Sequence, residues 1–89
     1  MKEVITVKEM NIVVDRYSFL CIFGEYINGG FLAIPSLNIC VDLSDADDFN
    51  YNSSNIYDAL VQIAEFSLDE KDIIAGTIAN IIHREGYVR

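Results

Sequence analysis

The densest set of groups in this chain that could do chemistry consists of four aspartates: Asp42, Asp45, Asp47 and Asp48. Carboxylates this close together can bind a divalent cation, act as a general acid and base, or meet the cations of a partner protein. Catalysis requires two carboxylates held at a fixed separation in a cleft, with surroundings that split their pKa values. A loop of aspartates supplies charge without that geometry. We therefore interpret it as a charged surface and predict no catalytic residue.

The residues that follow form part of a calcium-binding pattern. Asp48, Asn50 and Asn52 place side-chain oxygens at alternate positions, as at the start of a calcium loop. Ser53 stands where such a loop needs a glycine, and Ala59 stands where it needs its bidentate glutamate. Since the strongest ligand is missing, we predict no metal site and interpret the segment as a polar loop that leads into a helix.

The other candidate groups are one histidine and two cysteines. His83 lies near the end of a predicted helix, and no serine or cysteine nucleophile can be paired with it from the sequence. Cys21 and Cys40 lie inside apolar runs and belong to no paired metal motif. We interpret them as buried thiols in a reducing compartment; a disulfide stays open if their strands are neighbours. The sequence predicts no cofactor and no enzymatic activity.

The charge of the chain is concentrated in one window. Nine carboxylates and a single cation, Lys71, lie between Asp42 and Asp72, so this window carries the whole net charge of −8 and the rest is neutral. Such segregation attracts a basic partner and repels nucleic acid and anionic membranes. The second predicted helix begins with Asp69, Glu70 and Asp72, so DNA would repel it as a recognition helix.

The length and composition predict one small folded domain. The chain has 89 residues, 52% of them hydrophobic, which is too apolar for a disordered acidic tail. Part of that apolar surface is expected to lie in an interface with a partner or a second copy. The N-terminus has no signal-peptide core, and the longest uncharged span, 26–41, is interrupted by glycines and a proline. We therefore expect a cytosolic protein.

The first half of the sequence predicts strands. Val4–Val7 and Asn11–Val14 are β-branched runs that form one interrupted strand or two short ones. Tyr17–Tyr26 has large apolar residues at both odd and even positions, which predicts burial on both faces or on one face and an interface. The next strands are expected at Phe31–Ile34, after a turn over Ile27–Gly30, and at Leu37–Asp42.

The second half of the sequence predicts two helices. The first is expected to start at a Ser53 or Ser54 cap, to end near Phe66, and to bury Ile56, Leu60 and Ile63. The second is expected to start at the capping box Ser67–Glu70, to bury Ile74, Ile78, Ile81 and Ile82, and to stop at Gly86. The predicted fold is α+β, an antiparallel sheet of three to four strands with two C-terminal helices packed on one face. Its single domain, 1–89, divides into a β-rich part (1–42), an acidic loop (43–52) and a helical part (53–86).

Two stretches carry a resemblance to known proteins. They are Arg16–Pro35, which reads RYSFLCIFGEYINGGFLAIP, and the run Phe49-Asn50-Tyr51-Asn52 before a helix. Over about the middle half of the chain they resemble a group of short, uncharacterised bacterial proteins associated with mobile genetic elements. The shared motifs are a hairpin and a helix entry, so the resemblance implies no catalytic residue. In type, the chain is also similar to small acidic anti-defence proteins, such as anti-CRISPR and anti-restriction inhibitors, some of which present carboxylates where phosphates would bind.

The charge and the resemblance together predict a non-enzymatic protein-binding module. It would dock on a basic surface of another protein, such as the nucleic-acid groove of a defence nuclease, and would bind neither nucleic acid nor membrane directly. The residues expected to make this contact are Asp42, Asp45, Asp47, Asp48, Asp69, Glu70 and Asp72. The alternative is a homo-oligomeric structural or regulatory domain, for example a homodimer. In that alternative the interface is the strand Tyr17–Tyr26, and the acidic face only confers solubility.

Overall fold

The computed structural model describes residues 6–27, 29–45 and 47–85. In it, four antiparallel strands form a sheet in the order in which they occur along the chain, and two helices follow. The strands are β1 (Thr6–Val14), β2 (Tyr17–Glu25), β3 (Gly30–Ile34) and β4 (Ile39–Leu43). The helices are α1 (Phe49–Leu60) and α2 (Leu68–Glu85), and a short 3-10 turn, Pro35–Leu37, precedes β4. The predicted α+β fold is confirmed.

The turns between the strands use residues that tolerate a left-handed backbone. Asp15 has a φ of 56° in the two-residue link between β1 and β2, where Val14 pairs with Tyr17. Gly29 has a φ of 103° before β3, and its carbonyl accepts a bond from the backbone N–H of Tyr26. The predicted turn chemistry of Gly29 is therefore confirmed. Over its described length β1 is one continuous strand, and its predicted start at residues 4–5 lies outside the described residues.

One face of the sheet packs against both helices and forms the core. Alternate residues of each strand point to this side, as the period of two in a strand requires. The buried sheet residues are Ile12, Val14, Phe19, Cys21, Phe23, Leu32, Ile34, Val41 and Leu43. The helices contribute one apolar stripe each, formed by Ile56 and Leu60 of α1 and by Ile74, Ala75, Ile78, Ala79 and Ile82 of α2. The predicted apolar stripe of α2 is thus largely confirmed, with Ile81 only half-buried.

The opposite face of the sheet is not covered by either helix, and we call it the open face. Its residues alternate with the core residues and follow from the strand register: Val7, Glu9, Asn11, Val13, Ser18, Leu20, Ile22, Gly24, Phe31, Ala33, Cys40 and Asp42. Val13 is 69% exposed, Val7 56% and Leu20 41%, although all three are large apolar residues. The strand β2 is therefore buried on one face only.

Helix α1 is displaced toward the N-terminus relative to its predicted position. It begins at Phe49, so Ser53 and Ser54 lie inside it, and it ends at Leu60 rather than near Phe66. The early start follows from Asn52, which occupies the same buried stripe as Ile56 and Leu60. The early end leaves Phe66 free to pack its ring edge-on against Tyr17, at 4.9 Å between centroids. The predicted acidic loop 43–52 is correspondingly shorter in the structure.

The predicted capping box at the start of α2 is confirmed. The Glu70 backbone N–H donates to Ser67 Oγ at 3.1 Å, and the Ser67 backbone N–H donates to Glu70 Oε1 at 2.9 Å. The predicted stop at Gly86 lies outside the described residues. Over the described part of the chain, neither helix combines the length and apolar character needed to cross a membrane.

The two cysteines lie on opposite faces of the sheet and both are free thiols. Cys21 is fully buried in the core, whereas Cys40 is exposed on the open face. The expectation of two buried thiols is therefore wrong for Cys40, and a disulfide between them is excluded because their side chains point away from each other. Burial removes water from the Cys21 thiol and raises its pKa to about 11.

This placement predicts two very different thiol reactivities. In the native protein at pH 8, we expect Cys40 to react rapidly with a thiol reagent, because it is accessible, and Cys21 to react only after unfolding in denaturant. Mass spectrometry of the labelled protein would identify the residue. Fast labelling of Cys21 in the folded state would contradict the arrangement of the sheet.

Candidate functional site

The connection between β4 and α1, which carries Asp45, Asp47 and Asp48 of the predicted contact residues, is held by a buried asparagine. Asn52 is fully buried, and its side chain joins helix and loop: Oδ1 accepts from the Ser44 backbone N–H at 2.8 Å, and Nδ2 donates to the Asp45 carbonyl at 3.1 Å. Asn55, one turn later, donates to the carbonyl of Asp42 at 3.1 Å. Two amides on one helix therefore fix the backbone of this acidic segment.

Within the connection, the aspartates are exposed and partly ordered by local hydrogen bonds. The Asp47 backbone N–H donates to Asp45 Oδ1 at 2.9 Å, and the Asp48 backbone N–H donates to the Asp45 carbonyl at 3.1 Å. Asp45 thus shapes the turn in addition to carrying charge. Asp47 Oδ1 lies 3.6 Å from Nδ1 of His83, near the end of α2, and both side chains are exposed.

Asp42 extends this charge onto the sheet. It lies in β4 opposite Phe31, and its side chain is exposed on the open face. We call the group formed by Asp42, Asp45, Asp47 and Asp48 the acidic end. Since Asp42 belongs both to this group and to the open face, the charged and the apolar surfaces are continuous.

The structure does not bring all the predicted contact residues together. Asp69, Glu70 and Asp72 lie in the first turn and a half of α2, where Glu70 contacts Tyr17 beside the β1–β2 turn. The acidic end lies near His83, thirteen residues further along α2. At a rise of 1.5 Å per residue, the two groups are about 20 Å apart along the helix. The seven carboxylates therefore form two separate groups.

Glu70 is engaged by neighbouring residues of its own chain. Besides its bond with Ser67, its Oε2 accepts from the Tyr17 hydroxyl at 2.8 Å and lies 3.4 Å from the Arg16 guanidinium. The Ser67 backbone N–H, the Tyr17 hydroxyl and the charge of Arg16 together lower the pKa of the Glu70 carboxyl from its usual 4.5. This carboxylate therefore has a structural role that links α2 to the β1–β2 hairpin.

The only cation of the acidic window serves the fold. Lys71 is buried, and its Nζ donates to the carbonyl of Val61 at 3.1 Å, just beyond the last residue of α1. A cation at this position satisfies an orphan carbonyl and interacts favourably with the negative end of the helix dipole. Lys71 is thus held at the end of α1 by a backbone carbonyl.

The described residues contain neither a group of metal ligands nor a pocket of ligand size. Among the described residues, no group of three or more histidine, cysteine or acidic side chains is arranged to hold a metal ion. The start of the calcium-like pattern lies in α1, where Asn52 bonds to the backbone instead. A depression beside Glu70 and Tyr17 has a volume of about 10 Å³, room for one water molecule, whereas ligand pockets measure about 300–1,000 Å³.

Sequence reasoning missed two parts of this surface. Glu9 lies in β1 at the edge of the sheet away from the acidic end, and it is exposed on the open face. The alternation of Val7, Glu9, Asn11 and Val13 is the signal that could have placed it there, because every second residue of a strand shares a face. Asn52 carried no such signal, since its partners are backbone groups that only the folded chain brings near.

A family model described as a family of unknown function, DUF6618, matches residues 1–83. No curated protein and no solved structure matches the chain. The family description gives neither an activity nor a partner, so the relation to mobile elements and to anti-defence proteins stays a prediction.

The two side-chain hydrogen bonds of Asn52 predict that removing its amide strongly lowers the free energy of unfolding. Asn52→Ala removes both side-chain bonds and leaves the Ser44 N–H and the Asp45 carbonyl without that partner. We expect the free energy of unfolding to fall by about 2–3 kcal/mol in urea denaturation. Asn50→Ala, on an exposed position of the same helix, is the matched control and should change stability by less than about 0.5 kcal/mol. Equal losses of stability in the two variants would show that the side-chain hydrogen bonds of Asn52 contribute nothing specific.

The contacts of Glu70 predict a pH-dependent part of the stability. Because folding lowers the pKa of this carboxyl, its stabilisation is fully present above the unfolded value near 4.5 and is lost as the pH falls through the lower folded value. Glu70→Gln should therefore lower Tm at pH 7, and the difference from the unmodified protein should shrink toward pH 3. Asp69→Asn, which changes the exposed neighbouring carboxylate, serves as control. A constant difference from pH 7 to pH 3 would contradict the role assigned to the ionised carboxylate.

Proposed function

The chain belongs to the DUF6618 family, a family of unknown function, and we propose that it is a non-enzymatic protein-binding module whose acidic end docks onto a basic surface of another protein. The observation that carries the proposal is that two amide side chains of α1, the buried Asn52 and the half-buried Asn55, order the backbone beside exposed carboxylates. The side chains of Asn52 and Asn55 hold the backbone of Ser44, Asp45 and Asp42. A charged surface ordered before binding loses less entropy when it meets its partner than a flexible one.

The continuity between the acidic end and the open face supports a role in contact rather than in solubility alone. A solubilising charge has no need of a neighbouring apolar surface, whereas protein interfaces combine an apolar centre with a polar rim. Asp42 lies at this boundary, opposite Phe31. The group Asp69, Glu70 and Asp72 is about 20 Å away along α2, so it is not part of the contact we propose.

The finer form of the proposal concerns the kind of partner. A protein that binds nucleic acid presents cations to phosphates, and the same cations can accept carboxylates. We therefore include a nucleic-acid-binding nuclease, of the kind that anti-defence inhibitors block, among the partners of this module. Competition distinguishes this form, because a DNA fragment that occupies the groove would displace the acidic end.

A homo-oligomeric domain is the second candidate function, and the exposed apolar residues of the open face favour it. Val13 and Leu20 are exposed there, and a second copy would bury them. The charges oppose it, since Glu9 and Asp42 lie on the same face and each copy has a net charge of −8. We therefore rank it below the basic partner.

Charge-neutral variants test the proposal without changing side-chain shape. The triple variant Asp45→Asn, Asp47→Asn, Asp48→Asn keeps an oxygen at position 45 for the turn and removes three charges from the acidic end. The matched control, Asp69→Asn with Asp72→Asn, removes charge from the other end. We expect affinity capture from a lysate of the source organism to recover a basic protein that is released by salt, that the triple variant fails to retain, and that the control retains.

Once the captured protein is identified, the salt dependence of its affinity gives a second measurement. The affinity for the unmodified chain should fall at least tenfold between 50 and 300 mM salt, because exposed charges are screened. Retention by the triple variant, or capture that is indifferent to salt, would refute the acidic contact. If DNA fails to compete, the partner's binding surface is not a nucleic-acid groove.

A further inference from the structure

The open face has the dimensions and the charge pattern of a binding surface for one helix. We infer that it binds a single amphipathic helix of a partner protein, with an apolar stripe facing the sheet and lysines or arginines along both flanks. The inference rests on the proposed function, because Asp42 of the acidic end supplies one of the two acidic flanks.

The centre of the open face is apolar and accessible. Leu20 and Ile22 are neighbours on this face of β2, and Ile22 lies opposite Ala33 of β3. Val13 of β1 lies diagonally across from Leu20, which is itself opposite Asn11. The exposed fractions of Val13 and Leu20 are 69% and 41%. Isolated exposed apolar residues are common on protein surfaces, but neighbouring residues on adjacent strands form a contiguous patch, and such patches mark interaction sites.

Gly24 makes this surface flat at one end. A Cβ atom built at Gly24 would lie 2.0 Å from the ring of Phe31, which shows that the ring lies directly over the glycine backbone. Phe31 is paired with Gly24 across the two strands and also contacts the ring of Tyr26, at 5.8 Å between centroids. The ring therefore covers the gap that the missing side chain would leave, and the face offers a broad aromatic surface to a partner.

The width of the sheet fits one helix. Neighbouring strands lie about 4.8 Å apart, so β1 and β4 are separated by about 14 Å. A helix with its side chains is about 10–12 Å across. One helix laid along the strands would therefore cover β2 and β3, and its flanks would lie over β1 and β4.

The charges stand where those flanks would lie. Glu9 is on β1, and Asp42 is on β4, two residues further along the register. Among the described strand residues, none on this face is basic, because Lys8 lies on the other side of the sheet with Phe23. Lysine and arginine side chains can extend from the flanks of a helix to such carboxylates while their stems cover apolar surface. A second copy of this chain would instead bring carboxylates against carboxylates, and an anionic membrane would be repelled.

Three synthetic peptides test this inference on the full chain. The first is an amphipathic helix of leucine and lysine; the second replaces every leucine by glutamine, and the third replaces every lysine by glutamate. We expect calorimetry at physiological salt to show that the leucine–lysine peptide binds at least tenfold more tightly than the glutamine–lysine peptide, and that the leucine–glutamate peptide does not bind.

Matched variants locate the binding surface. Val13→Gln and Leu20→Gln should each weaken the leucine–lysine peptide about fivefold to tenfold and leave the glutamine–lysine peptide unchanged. Leu68→Gln is the control, because Leu68 is 69% exposed, like Val13, but lies at the start of α2. The peptide should also protect Cys40 from alkylation, which reports occupation of the open face even for a variant whose stability has changed.

The outcomes separate the two proposals. If both lysine peptides bind equally well and Cys40 stays reactive, helix binding on the open face is refuted while the acidic contact survives. If neither lysine peptide binds, the acidic contact proposed as the function fails as well. Sedimentation of the chain alone gives the remaining outcome. A dimer that Leu20→Gln dissociates would assign the open face to a second copy and would refute the binding of a partner helix there.

Discussion

A four-stranded antiparallel sheet has two faces, and the two helices of this chain can cover only one of them. The helices form an antiparallel pair whose apolar stripes pack against the covered face, where Phe19, Phe23 and Leu32 belong to the core of the described residues. The strand residues between them, such as Leu20 and Ile22, must face outward because side chains alternate along a strand. The open face is therefore not a local irregularity. Two helices cover one face of the sheet, and strands that are apolar at both odd and even positions place apolar residues on the other face as well.

The buried amide of Asn52 connects this core to the charged surface. A polar side chain in a helix stripe is costly unless all its bonds are made, and Asn52 makes them to the backbone of the segment that follows β4. The loop is therefore ordered as a consequence of core packing. This is also why α1 starts early: the stripe that includes Ile56 and Leu60 continues through Asn52 into residues whose polar composition predicts a loop.

Interactions between near neighbours could be predicted from the sequence, and those between distant residues could not. The capping box at Ser67 and the turn at Gly29 depend on three or four consecutive residues, so their chemistry is visible in the chain. The bonds of Asn52 and of Lys71 join groups eight and ten residues apart, whose meeting depends on how two elements end. The predicted contact set failed to converge for the same reason: Asp69, Glu70 and Asp72 lie at the start of α2, whereas Asp47 lies beside His83 near the end of that helix.

The separation of the carboxylates changes how the net charge of −8 should be understood. At physiological ionic strength the screening length is about 8 Å, so Asp69 and Asp72, about 20 Å from the acidic end, add little to the potential that a partner meets there. The Glu70 carboxylate also adds little, because it is bonded to the Tyr17 hydroxyl and paired with the Arg16 guanidinium. A partner at the acidic end therefore meets mainly the field of that group, since Glu9 on β1 is about 14 Å from β4 and also lies beyond the screening length. A field of this size can orient an approaching cation, and because salt screens it, the contact that we propose also depends on apolar surface beside the charge.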